Sequence, residues 1–320
     1  ARSGGEAMSI AVRIARAYTK RDTVFFSGYH GWNDWYLSSN LSDNRNLDGQ
    51  LMPGLQPNGV PRGLTGTAIP FENNSIDSLK NKIKGKEKEI AAIVIEPARG
   101  EEAPIGYLKE LKEVANDLGA VLIFDEITSG FRMCAGGIHR KYKIYPDLAV
   151  FAKSISNGYA MSAILGNEKV MQAAQTTFIS STNWTDRIGP TAALATIKKY
   201  IDRNVELHLI EIGKNVKKIW QSAADFYDIK IKLSGLPTLA SFSFISNNAN
   251  KMNTYFSIEM LKKGFLGFRQ FKPSYAHTNE IIEKYRTAVM ESFETIKNDP
   301  NFLMLDTSLQ HSGFNRITKE

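Results

Sequence analysis

The sequence predicts an α/β protein in which a mostly parallel β-sheet is flanked by helices and followed by a smaller α+β unit. Three observations carry this expectation. Ala91 to Ile95, Val121 to Phe124 and Leu148 to Ala152 are short apolar runs without alternation, the signature of strands buried on both faces. Amphipathic stretches of helical period lie among them, and that alternation of helix and strand marks a parallel sheet. Asp125 and Lys153 directly follow two of the runs, at the carboxyl ends of the strands, where open α/β sheets collect their ligands. One pocket is therefore expected to hold both residues.

The first element is an amphipathic helix, Glu6 to Thr19, with Ile10, Ile14, Ala17 and Tyr18 on one side and Arg13, Arg16 and Lys20 elsewhere. Ser3-Gly4-Gly5 forms its amino end. Thr23 to Phe26 is a short strand closed by Ser27-Gly28. Trp32 to Gly66, with Pro53-Gly54, Pro57-Asn58-Gly59 and Pro61-Arg62-Gly63, reads as a long ordered loop, and loops of this length are usually functional or interfacial. From Ile76 the alternation becomes regular: helix to about Lys86, strand Ala91 to Ile95, helix Leu108 to Leu118, then strands Val121 to Phe124, Leu148 to Ala152 and Ala163 to Leu165. Gly189-Pro190 opens a helix through about Tyr200, and a second helix spans Asn204 to Phe226. Strands Ile229 to Leu233 and Leu239 to Ile245, with helices Asn253 to Lys263 and Asn279 to Lys297, complete the smaller unit. A large domain is expected over 1–207 and a small one over 208–320.

Composition narrows the class. With 320 residues and 42% hydrophobic content, the chain can bury a large core, as one large domain plus a smaller one. No apolar run reaches the roughly 18 residues needed to cross a bilayer, and Ala1 to Glu6 lacks the apolar centre of a signal peptide, so a cytoplasmic location and no membrane partner are expected. The single cysteine, Cys134, excludes an intrachain disulfide framework and a CxxC metal pair, and reads as a packing residue. The 40 basic and 33 acidic residues leave a net charge of +7, but the basic residues are scattered or interleaved with apolar ones and acids at helical spacing. That pattern is a solvated helix face rather than a nucleic-acid stripe. The five histidines are far apart in sequence, so no metal site is expected.

The chemistry starts with the two misplaced charges. An amine at such a strand end, partly desolvated, has a lowered pKa and can form a Schiff base, while a carboxylate can hold a protonated pyridine nitrogen, as pyridoxal-phosphate chemistry requires. The plainer reading stands beside it: Asp capping a turn and Lys as a solvated flank. Ser3-Gly4-Gly5-Glu6 at a helix start offers unpaired N–H groups and a favourable dipole to an anion, or is simply an N-cap turn. It matches neither the dinucleotide GxGxxG nor the GxxxxGK[ST] pattern. Tyr29, after a short strand, either stacks on a flat ligand or packs in a turn.

Taken together, Ser3-Gly4-Gly5-Glu6-Ala7, Tyr29-His30-Gly31, Glu96-Pro97, Phe124-Asp125-Glu126-Ile127 with Gly130-Phe131-Arg132, and Phe151-Ala152-Lys153 with Asn157-Gly158 resemble class III aminotransferases in order and spacing. These are fold-type I pyridoxal-phosphate enzymes that include glutamate-1-semialdehyde aminomutase. The likeness runs from residue 3 to Thr196 and reappears at Pro273-Ser274-Tyr275-Ala276-His277-Thr278, similar to the aminomutase branch.

The resemblance implies pyridoxal 5'-phosphate as cofactor, Lys153 as the Schiff-base lysine and Asp125 as the partner of the pyridine nitrogen. Tyr29 would cover one face of the ring and Ile127 the other, and the N–H groups of Gly4 and Gly5 would cradle the phosphate. Thr182, placed from the segment Ala192 to Thr196, would reach the phosphate of the neighbouring subunit's cofactor in a homodimer. Glu101 and His30 are implied as substrate or gating residues, Glu101 falling where transaminases of the family carry a glutamate. Amino transfer between an amino acid and a keto or aldehyde acceptor is the implied activity, with the aminomutase reaction as alternative and an inactive or structural paralogue as the reading of another class. The segment Ser180 to Pro190 is bulkier than the family's usual turn and resembles a variant associated with surface-polysaccharide pathways. The resemblance also implies that the family's amino-terminal arm is missing ahead of residue 3. Arg99, Arg187 and Arg269 are the candidates for binding a substrate carboxylate.

Overall fold

The computed structural model describes residues 1–49, 53–98, 100–302 and 308–310. It divides into two compact units, the first formed by Ala1–Ala98 with Glu102–Arg203 and the second by Asn204 onward together with Gly100 and Glu101. The junction is the Arg203–Asn204 step, where Asn204 at φ 46° interrupts two successive helices a few residues before the 207/208 boundary expected from sequence.

The first unit begins with α1 (Gly4–Thr19), capped by Ser3, whose hydroxyl accepts from Glu6 N–H while the Glu6 carboxylate accepts from the Ser3 backbone. That reciprocal capping box fixes where the helix starts, and Lys20 in the left-handed region ends it. Then follow β1 (Thr23–Ser27), α2 (Asp34–Leu37), β2 (Ala68–Pro70), α3 (Ile76–Ile83), β3 (Ile90–Ile95), α4 (Ile105–Leu118), β4 (Val121–Asp125), α5 (Ile138–Tyr142), β5 (Leu148–Phe151), β6 (Ala163–Gly166), α6 (Glu168–Met171) and α7 (Ile188–Asp202). The sheet order is β2-β1-β3-β4-β5-β6. The first five strands run parallel, and β6 is antiparallel to β5 at the edge.

Alternation along each strand splits the apolar side chains between the two faces. Ala92, Val94, Ile123 and Val150 share one core with Ala7, Met8, Ala11 and Ala15 of α1. Their neighbours Ile93, Leu122 and Phe124 are equally buried on the opposite face, and α4 packs against β3 and β4. Each fully buried large apolar side chain contributes about 1.5–3 kcal/mol, so the sheet is the rigid part of the unit. Asp125, the last residue of β4, pairs in register with Val150 of β5. The strand ends carrying Asp125 and Lys153 are thereby brought to the same edge of the core.

In the first unit, α2, β2, α5 and α6 were not expected from the sequence, and α2 lies within the stretch read as a long loop. β2 is three residues long, ends in proline and lies just after the long loop, too short for period-two alternation to register. The helices α5 and α6 span about one turn each, below the length at which a helical period can be read.

The second unit contains α8 (Val205–Phe226), β7 (Ile231–Ser234), β8 (Ala240–Phe244), α9 (Ala249–Lys262), β9 (Gln270–Phe271) and α10 (Asn279–Asn298). Its antiparallel sheet has the order β7-β8-β9. Trp220, Phe242, Phe256 and Phe293 fill its core, and the buried Trp220 Nε1 donates to Tyr285 Oη at 2.9 Å.

Candidate active site

A cavity of about 340 Å³ opens at the carboxyl ends of β1, β4 and β5, beside the amino end of α1. Gly4, Gly5, Tyr29, His30, Asp125, Ile127 and Lys153 all line it. Its volume lies in the range of small-molecule sites, about 300–1,000 Å³. A larger groove of about 840 Å³ runs beside α1 past Arg13, Trp32 and Phe178, but neither Asp125 nor Lys153 borders it.

Asp125 is 2% exposed. Its Oδ1 accepts from the Ile127 amide at 3.0 Å, and its Oδ2 lies 2.8 Å from His30 Nδ1. Each carboxylate oxygen has two lone pairs, so acceptor capacity remains for a donor in the cavity. His30, 1% exposed, is held in turn: Nε2 lies 3.1 Å from the Ser27 carbonyl, which can only accept, and the Trp35 ring stacks on the imidazole at 6.2 Å. Both ring nitrogens are occupied by the protein. His30, expected as a substrate or gating residue, is thus seated beneath Asp125 and fixes that carboxylate.

Lys153 has φ 49°, a left-handed conformation that costs a non-glycine residue about 1–2 kcal/mol. Such strain is typical of functional positions. Lys153 is an exposed residue that lines the cavity, where partial desolvation was expected, and its Nζ donates to Thr128 Oγ1 at 2.8 Å. Ile127 projects against the helix start so closely that a Cβ on Gly4 would lie 2.8 Å from its Cδ1. A similar limit holds at Gly31, where φ is +104° and a Cβ would meet the Gly5 Cα at 3.0 Å. The helix start is therefore kept bare of side chains on the side that borders the cavity. The Tyr29 amide donates to Glu96 Oε2 at 3.2 Å, and the Tyr29 ring packs edge-on against Tyr36.

Thr182 is exposed on the turn before α7 and does not border the cavity. Glu101 is exposed and groups with the second unit. Arg187 is exposed and Arg269 half-buried, neither lines the cavity, and Arg99 lies outside the described residues. Arg2 does line it, and pairs with Asp186 at 3.2 Å.

Sequence reading gave no role to Thr128, Glu96 or Glu126. Glu126 is fully buried: it accepts from the Ile138 and His139 amides at 3.0 Å each and from Ser129 Oγ, with His139 Nδ1 2.9 Å from its Oε1. A buried carboxylate satisfied this completely is structural, pinning the turn after β4 to the start of α5. Adjacency to Asp125 was the only signal for it, and that signal does not reveal partners a dozen residues away.

The donor set fits pyridoxal phosphate. A bare helix amino end suits a phosphate, a fixed carboxylate with spare acceptor capacity suits a ring N–H, and an amine faces the same cavity.

The family model for aminotransferase class III matches residues 1–285. The 3-aminobutyryl-CoA aminotransferase of Cloacimonas acidaminovorans (strain Evry) is 29% identical over 313 residues, covering 92% of this chain and 70% of that protein. A glutamate-1-semialdehyde 2,1-aminomutase of Lachnoclostridium phytofermentans is 30% identical over 308 residues, covering 88% of this chain and 70% of its own length. The solved structure of the FumI protein of Sphingopyxis sp. MTA144, with pyridoxal phosphate, superposes with a TM-score of 0.84 at 22% identity, covering 97% of this chain and 72% of that one. The fold is accordingly that of the fold-type I pyridoxal-phosphate transferases. The chain belongs to the class III aminotransferase family, whose cofactor is pyridoxal phosphate. Among the described residues, no helix is long and apolar enough to cross a membrane.

Proposed function

We propose that the chain transfers an amino group between an amino acid and a keto or aldehyde acceptor, with Lys153 and Asp125 as its catalytic residues. The observation that carries this reading is the single cavity in which Lys153, Asp125 and the amino end of α1 meet. When bound, pyridoxal phosphate supplies an electron sink that lowers the cost of removing a proton from the substrate Cα. Asp125, held by His30 and the Ile127 amide, would keep a proton at the pyridine nitrogen. Gly4, Gly5, Tyr29 and Ile127 line the cavity, where the two glycine N–H groups would hold the phosphate and the two side chains would bound the ring. Lys153 would hold the cofactor's carbonyl carbon, and its free Nζ would take the proton from the substrate Cα.

The relative named 3-aminobutyryl-CoA aminotransferase supports two-substrate amino transfer. An aminomutase reaction on one substrate is the second reading, favoured by the relative named glutamate-1-semialdehyde 2,1-aminomutase. Half-reactions separate them. Amino transfer predicts that an amino acid donor alone converts the cofactor to its amine form and releases a keto acid, detected as loss of visible absorbance. Conversion of glutamate-1-semialdehyde to product with no second substrate would overturn it.

The same reading includes a homodimer in which Thr182 reaches the neighbouring subunit's cofactor. Exposure of Thr182, and of Trp32 and Phe178 at 75% and 84%, supports a partner surface on this side of the first unit. The lone Cys134 supports a reducing, cytoplasmic setting.

A further inference from the structure

We propose that Thr128 is a positioning residue for the Lys153 amine, a role that rests on the functional reading above. Thr128 is 7% exposed, and its hydroxyl accepts a hydrogen bond from Lys153 Nζ at 2.8 Å. The hydroxyl is itself held by its backbone. Gly130 N donates to Glu126 O at 2.8 Å, closing the turn that carries Thr128, and Glu126 is anchored to the start of α5. Arg132 Nε reaches the Thr128 carbonyl at 3.4 Å. A rigid turn thus presents one oxygen to the end of a long, exposed side chain.

The amine needs such a stop. A lysine side chain carries up to about 2 kcal/mol of rotamer entropy, and a proton transfer requires Nζ to stand at one place. By accepting an N–H, the Thr128 hydroxyl orients the amine and leaves its lone pair for the reacting atom. In the transfer step the substrate Cα–H bond breaks, the electron pair stays with the substrate carbon, and the Nζ lone pair takes the proton. Thr128 forms no bond to substrate in this step. Its role is to shorten the search of Nζ, both for the cofactor's carbonyl carbon and for the substrate proton.

The test uses Thr128→Val, which keeps the shape and removes the hydroxyl, and Thr128→Ser, which restores it. Cofactor-free protein is mixed with pyridoxal phosphate and the rate at which the visible imine band grows is followed. With the loaded enzyme, the donor half-reaction is measured with Cα-protonated and Cα-deuterated substrate. A net hydrogen bond corresponds to a rate change of about threefold to tenfold. Thr128→Val is expected to slow cofactor capture and the half-reaction rate by that factor, to raise the deuterium isotope effect and to leave KM within about twofold. Thr128→Ser is expected to return all of these to the wild-type values. Capture and isotope effect unchanged in Thr128→Val, or a loss confined to KM, would overturn the proposal while leaving Lys153 in its role. If Thr128→Val does not fold, the Thr128→Ser and Thr128→Ala pair is compared instead, and equal rates in those two overturn it. Lys153→Ala, run alongside, separates the two claims: retained turnover in that variant sinks the functional reading itself.

Discussion

Asp125 is set in place by the residues that hold it. His30 Nδ1 and the Ile127 amide each take one side of its carboxylate, and Asp125 and His30 are themselves almost closed to water. Removing one partner of a buried hydrogen bond leaves the other unsatisfied, at about 1–3 kcal/mol. His30→Ala is therefore expected to weaken pyridoxal-phosphate binding by roughly tenfold to a hundredfold, measured by titration of the cofactor-free protein. Gly4 is the second sensitive residue. A methyl at Gly4 would press Ile127 at 2.8 Å, so Gly4→Ala is expected to displace Ile127 and lower cofactor affinity while leaving the melting temperature of the cofactor-free protein nearly unchanged. Asp125 and Lys153 were legible in the sequence because a charge directly after an apolar run breaks the pattern. The partners were not: His30 and Asp125 are 95 residues apart, and Thr128 meets Lys153 across 25. Only the register of the sheet brings such residues together.

At the scale of elements, α1 does two things at once. Its apolar face closes the core over β3, β4 and β5, and its amino end borders the cavity. The capping box of Ser3 and Glu6 fixes that end. Ser3→Ala is expected to cost about 0.5–2 kcal/mol of stability by chemical denaturation and to weaken cofactor binding as well. A core change separates the two effects. Ile93→Ala, on the face opposite α1, should cost about 2–5 kcal/mol of stability with little effect on cofactor affinity in the folded protein. The strands β3, β4 and β5 were legible as apolar runs, and α1, α8 and α10 as amphipathic helices. The strand β2 and helices α5 and α6 were not, because three to five residues are too few to display either period.

For the molecule as a whole, residues at and after the carboxyl ends of the strands line the cavity, the place where open α/β sheets collect ligands. The proposed dimer belongs to this scale. Light scattering of the loaded protein is expected to give twice the 35.7 kDa chain mass, and Thr182→Ala should weaken cofactor binding without changing that mass. A monomeric, fully active protein would contradict it. The central claim is that Lys153 carries the cofactor beside Asp125, and borohydride reduction tests it most directly. Reduction of the pyridoxal-phosphate-loaded chain, followed by digestion and mass analysis, should place the cofactor's added mass on Lys153 and remove the visible band. Added mass on a different lysine, or on none, would contradict the assignment.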